Sequence, residues 1–265
     1  MGLTLPEGIP MPGGGDPLLA FDVGEDHEQW FEIRATLDGW GVSEGHVTTK
    51  FSREEVAQAR WLDLVPDWHH GYPQPDEHES GYLSVTYDLS GWCSMCGIGL
   101  RQKAPFQMKA EPKWGRRGIL QLNWVFDEYF VTPEVWGGLF KPRGIACRSV
   151  TNMKGAELET VTQLVVEEEV GIATDGLVPQ WCGVCGRVKY RPHVRGFFPA
   201  LIASPTQSMT RTREYFGSGA AADRRVLVSQ ELAGALIAAK VRGASLWPTM
   251  SRSLPGQESR EATAP

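Results

Sequence analysis

One six-residue phrase constrains this chain more than anything else in it. Trp-Cys-x-x-Cys-Gly occurs at Trp92–Gly97 and again at Trp181–Gly186, 89 residues later. A Cys-x-x-Cys turn places two thiolates on one side of a tight bend, and the glycine after the second cysteine lets backbone amides face the sulfurs without a side-chain clash. Two such turns complete a tetrahedral shell of four thiolates, which neither pair closes alone. Cys93, Cys96, Cys182 and Cys185 are therefore the candidate ligands of one Zn2+ per chain. The role is structural, because a closed four-coordinate site has no open position for chemistry. The 85 residues between Cys96 and Cys182 exceed the roughly 15–20 of a compact ribbon. An inserted or duplicated unit accounts for that, since loop-closure entropy rises only logarithmically with length.

The competing reading is redox. Trp181-Cys-Gly-Val-Cys looks like a thioredoxin turn, in which a helix N-terminus lowers the first thiol's pKa. The next residues, Gly186-Arg-Val-Lys-Tyr190, make a poor helix start, and a second matching pair favours metal. Cys147 is expected as a buried small hydrophobe. Five cysteines, an odd count, with a start (MGLTLPEGIPMPGGG) that has neither a basic nor an apolar leader region, argue against a disulfide framework and for a cytoplasmic protein. No run approaches the ~18–20 apolar residues of a membrane-spanning helix. At 265 residues and 42% hydrophobic content the chain can bury a real core, which excludes disorder, coiled coil or collagen as a description of the whole.

Local grammar predicts an α+β fold of mixed and antiparallel sheets with a few short helices around a split four-cysteine ribbon. Residues 1–17 and 251–265 read as mobile tails, 18–92 as an acidic N-terminal segment and 93–250 as the double-CxxCG domain. Weak alternation predicts strands across Phe21–Thr49. Ser52 to Glu55 fits a capping box opening a helix through Trp61. Trp68–Ser80 reads as a loop, Gly118–Phe126 as a buried strand, and Thr132-Pro133-Glu134 as the cap of a helix to Phe140. Strands are predicted at Ile145–Val150, Val161–Val170, Arg225–Val228 and Ala244–Trp247, with a helix from Ser229 to about Lys240.

Two of these stretches follow one plan. Val131–Val150 and Val228–Met250 both run hydroxyl cap, acid, apolar helix, Arg-Gly, strand, with caps 97 and glycines (Gly144, Gly243) 99 residues apart. Each lies downstream of a knuckle, which points either to an internal duplication of a knuckle plus strand-helix-strand unit or to a coincidence of capping grammar that recurs in many helices.

His69, His70 and His78, with Asp67, Asp76, Glu77 and Glu79, crowd one loop and are candidates for a second metal, although a metal site needs rigid spacing that a loop lacks. Lys113, Arg116, Arg117, Lys189, Arg191 and Arg195 lie among aromatic residues beside the knuckles, a combination that suits nucleic acid or, more simply, a solvated rim over packed rings. No nucleophile elbow, phosphate loop or dinucleotide fingerprint is present, so no enzyme is predicted. Residues 1–92 carry net −13, 93–196 net +4 and 197–265 net +3. An acidic leading segment suits a basic partner.

From about Trp92 to Met250 the chain resembles the double-CXXCG motif proteins, known chiefly from myxobacteria and named as immunity proteins for swarming-inhibition toxins. The matching positions are Cys93, Cys96, Gly97, Cys182, Cys185 and Gly186, with the terminal VLVSQELAGALIAAKVRGASLWP. Family members usually reach the first knuckle within a few tens of residues, whereas 92 precede it here. The resemblance implies a non-catalytic protein that binds and neutralises a cognate toxin.

Overall fold

The computed structural model describes residues 27–39, 49–76 and 81–251, and the chain divides into two compact units, Met1–Thr48 and Thr49–Pro265. The tails expected at 1–17 and 251–265 fall, apart from Ser251, outside the described residues. In the first unit the described residues contain one helix, α1 (Trp30–Gly39), where the alternation predicts strands. An Arg34–Asp38 ion pair one turn apart and a Thr36 hydroxyl donating to the Glu32 carbonyl support it, and weak alternation does not outweigh these local bonds.

The second unit opens with α2 (Arg53–Gln58), whose Ser52/Glu55 capping box is fully formed. The predicted continuation to Trp61 does not occur. Trp61 instead begins β1 (Trp61–Pro66), because Leu62 and Leu64 become fully buried in a central strand. Then come α3 (Gly81–Thr86), β2 (Tyr87–Asp88), β3 (Arg101–Gln102) and β4 (Gln107–Met108). The predicted strand at Gly118–Phe126 is a hairpin, β5 (Ile119–Leu122) and β6 (Val125–Val131), turned at Trp124 with φ 66°. Helix α4 (Pro133–Val135), capped by the Thr132 hydroxyl, widens into a π turn (Trp136–Phe140) and ends in a 3-10 turn (Lys141–Arg143) at left-handed Gly144. The next strands are β7 (Ala146–Asn152), β8 (Glu157–Val165), β9 (Glu169–Val170), β10 (Pro179–Trp181), β11 (Val188–Tyr190), β12 (Met209–Phe216) and β13 (Asp223–Ser229). Helix α5 (Gln230–Ala238), capped by Ser229, and β14 (Ala244–Pro248) complete the unit. Between them Gly243 (φ 108°) must be glycine, since a Cβ there would lie 2.0 Å from the Ile119 carbonyl oxygen.

The strands form a five-stranded sheet in the order β4-β7-β8-β6-β5 and a seven-stranded sheet in the order β10-β11-β12-β13-β1-β14, with β9 on β12; β2 and β3 pair separately. This is the α+β class predicted from the sequence.

The two large sheets repeat one plan. In each, an antiparallel hairpin (β5-β6; β12-β13) leads through a capped helix to a strand parallel to its second arm (β7; β14). An antiparallel strand fills the gap between them, β8 in one sheet and β1 in the other. The outer pairings match too: His69 bridges Gln121 in parallel as Glu169 pairs with Arg211, and Gln107 pairs with Thr151 in parallel as Phe198 bridges Thr249. In chain order the repeats are therefore 61–152 and 157–249. Each begins with the strand that fills the other's sheet, an exchange of β1 for β8.

Buried side chains specify that exchange. Asp63 on β1 stands opposite Leu227 and is held by the Arg225 guanidinium, while Gln163 on β8 stands opposite Phe130 and donates to Glu128 at 2.8 Å. Glu128 and Arg225 occupy equivalent positions. Left in its own repeat, β1 would face the Asp63 carboxylate toward Glu128, and like charges sharing a buried site cost several kcal/mol. The exchange also bears on the boundary expected at residue 92: β1 is an internal strand of the second repeat's sheet, so residues 49–92 belong to the same compact unit as 93–250. One apolar cluster joins the repeats, with Leu62, Leu64 and Val228 meeting Ile119, Val131 and Phe140.

Candidate metal centre

Both knuckles are the tips of short hairpins, β2-β3 around Cys93–Cys96 and β10-β11 around Cys182–Cys185. Their backbones match bond for bond. The Cys93 amide donates to the Ile98 carbonyl and the Gly97 amide to the Cys93 carbonyl; the Cys182 amide donates to Arg187 and the Gly186 amide to Cys182. Gly97 and Gly186 have φ of 84° and 71°, the left-handed region that glycine adopts without strain.

The repeat geometry brings the four sulfurs within 4.8 Å of one another. Like pairs with like: Cys93 Sγ lies 3.8 Å from Cys182 Sγ, and Cys96 Sγ 3.6 Å from Cys185 Sγ. A tetrahedron of thiolates with metal–sulfur bonds of ~2.3 Å has edges of about 3.8 Å. The cluster therefore has the dimensions to hold one metal ion, and all five cysteines are free of disulfides.

Cationic side chains support the cluster from its second knuckle. Arg187 Nε donates to Cys185 Sγ at 3.3 Å and holds that thiol's pKa down to about 6, favouring the thiolate a metal needs. Backbone amides of the same turn lower Cys182, whereas burial pushes Cys96 up to about 11. Lys189 is buried, and its ammonium donates to the carbonyls of Cys96 (2.9 Å), Gly219 (2.7 Å) and Ala221 (2.6 Å). All three of its donors are used, so a side chain of the second repeat clamps the first repeat's knuckle. The 219–222 turn presses on that knuckle as well: a Cβ on Gly97 would lie 2.3 Å from the Ala220 carbonyl oxygen.

Of the basic residues read as possible phosphate contacts, Lys189 is thus turned inward. Arg117 stacks 4.5 Å over the Trp68 ring, whose neighbour Trp114 donates its indole N–H to the Thr160 carbonyl. Lys113, Arg116, Arg191 and Arg195 are exposed. His69 and His70 are partly buried, which lowers both pKa values, and their rings pack on Phe126 and Trp68. Among the described residues only the four cysteines group as a possible metal site; His78, Glu77 and Glu79 lie outside them. Cys147, expected to be buried, is only partly buried on β7. Sequence pattern does not assign Arg187 and Lys189 as supports of the cluster, because nothing in RVKY separates an inward cation from a solvated one.

No helix among the described residues is long and apolar enough to cross a membrane. The chain matches no model of a known protein family and no curated protein sequence.

Proposed function

We propose that the four-cysteine cluster binds one structural Zn2+ and that the protein acts in the cytoplasm, without catalysis, by binding another protein, as an immunity protein neutralising a cognate toxin. The observation that carries the metal half is the sulfur geometry: two equivalent knuckles, each unable to close a site, bring four sulfurs within 4.8 Å of one another, with the two cross-knuckle pairs at 3.8 and 3.6 Å. The binding half rests on the resemblance to the double-CXXCG proteins and on what the metal would hold rigid. At the knuckle tips Met95 is 61% exposed, Val184 72% and Trp181 73%, and apolar side chains displayed on a stapled turn suit a protein contact.

The acidic leading segment is the second contact in this proposal. Its deletion must stop at residue 48, since removing β1 would open the second repeat's sheet. Residues 1–48 alone carry net −8. A pull-down with a toxin encoded beside this protein's gene tests the proposal. The full chain captures the toxin, and the chain lacking residues 1–48 keeps its zinc and loses capture. No capture by zinc-loaded full-length protein refutes the immunity role.

A further inference from the structure

A cavity of about 580 Å³ opens beside the cysteine cluster, where the two repeats face each other. Residues from equivalent strands of both repeats line it. Asp127 and Arg224, equivalent positions on β6 and β13, touch there at 3.9 Å. Strands β7, β8, β9 and β12 and the Ile98–Leu100 loop of the first knuckle form its walls. This volume and placement suit a small molecule rather than a packing defect, since ligand sites of 300–1,000 Å³ favour interfaces between structural units.

The lining says what kind of molecule. Six arginines and five acidic residues face the cavity. Glu128 is matched by Arg211, and Glu169 and Asp127 by Arg224. Arg148 and Arg213 line the same space and make no ion pair among the described residues. Deeper in, the Arg211 side chain is only 8% exposed, yet its Nε–H has no hydrogen-bond partner, whereas Arg224 Nε already faces the Asp127 carboxylate at 3.9 Å. A buried guanidinium donor left unmatched is a standing cost that an incoming oxyanion removes, and arginine's planar fork fits carboxylate or phosphate. Tyr82, Tyr87 and Tyr215 supply apolar faces with polar tips around these donors.

We propose that this inter-repeat cavity is a binding site for a small organic oxyanion, a carboxylate or phosphate of metabolite size, held by Arg211, Arg224, Arg148 and Arg213. The site is independent of any protein partner. Citrate and pyrophosphate serve as probes of the two chemistries, each titrated calorimetrically into metal-loaded full-length protein at about 150 mM salt. The expected result is saturable 1:1 binding of at least one of them, and which one binds assigns the anion. The double variant Arg148→Gln/Arg213→Gln, at half-exposed and exposed positions, keeps its melting temperature and weakens binding at least tenfold; Arg211→Gln also weakens it at least tenfold. No saturable binding of either probe, or unchanged affinity in the double variant, overturns the proposal.

Discussion

Replacing Lys189 by Met tests whether the second repeat holds the first repeat's knuckle. The substitution nearly preserves length and apolar stem but removes three charge-assisted hydrogen bonds, to Cys96, Gly219 and Ala221. The Cys96 residue is buried, so its carbonyl loses its partner with little water to replace it, a cost of about 1–3 kcal/mol. Gly219 and Ala221 are exposed, so their carbonyls regain water and each lost bond costs about 0.5–1.5 kcal/mol. The sum is roughly 2–6 kcal/mol, a large part of the 5–15 kcal/mol that stabilises a typical domain. Urea unfolding of the metal-loaded protein measures it directly, and a chelator competition reports how far the loosened knuckle weakens metal affinity. Lys189→Arg does not restore the loss, because a planar fork cannot point three donors at carbonyls arranged around a single ammonium. A destabilisation below about 0.5 kcal/mol, with unchanged metal affinity, would refute the clamp.

The same geometry sets three further outcomes. Gly186→Ala has open space for its Cβ and loses about 1–2 kcal/mol for the left-handed backbone alone, whereas Gly97→Ala adds a collision with the Ala220 carbonyl and loses clearly more; equal losses in thermal unfolding would contradict the packing of the 219–222 turn. Arg225→Met strands the Asp63 carboxylate inside the sheet and costs about 3–5 kcal/mol by urea unfolding, while a loss within experimental error would remove the charge argument for strand exchange. Burial, with Asp127 close by, pushes the Asp223 carboxyl up to about 8, so the folded state keeps a proton that the unfolded chain releases near pH 4. That group's contribution therefore declines as pH rises from about 4 to 8, and Asp223→Asn stabilises the protein by a few kcal/mol at pH 8 and hardly at pH 4. A pH-independent effect in paired unfolding curves would sink this.

Much of the site is legible in the sequence because its signals are local. A Cys-x-x-Cys-Gly turn carries its own hydrogen bonds, and the caps at Ser52, Thr132 and Ser229 satisfy amides within three residues of themselves. The repetition of cap, helix and glycine likewise points to a repeated unit, and the pairings of β6-α4-β7 and β13-α5-β14 carry it into three dimensions. What local pattern cannot show is which strand pairs with which. Trp61 reads as the end of a helix because the Ser52 box precedes it, yet it opens a strand whose leucines find a sheet formed more than 140 residues later in the chain. Gly118–Phe126 reads as one strand because a tryptophan gives no turn signal, although Trp124 adopts a left-handed turn conformation. Lys189 and the cavity arginines are illegible for a related reason. A cation turns inward only when distant carbonyls or carboxylates surround it, and those are supplied by the other repeat.

The proposed centre is one metal ion stapling two equivalent knuckles. Elemental analysis of the purified protein beside its Cys93→Ser and Cys185→Ser variants, each taken through thermal unfolding, tests this most directly. The expected result is about one zinc per wild-type chain, lost in both variants together with a large part of the stability, since structural zinc contributes on the order of 10–16 kcal/mol of apparent binding energy. A metal-free wild-type protein, or variants that lose the metal and melt at the wild-type temperature, would contradict it.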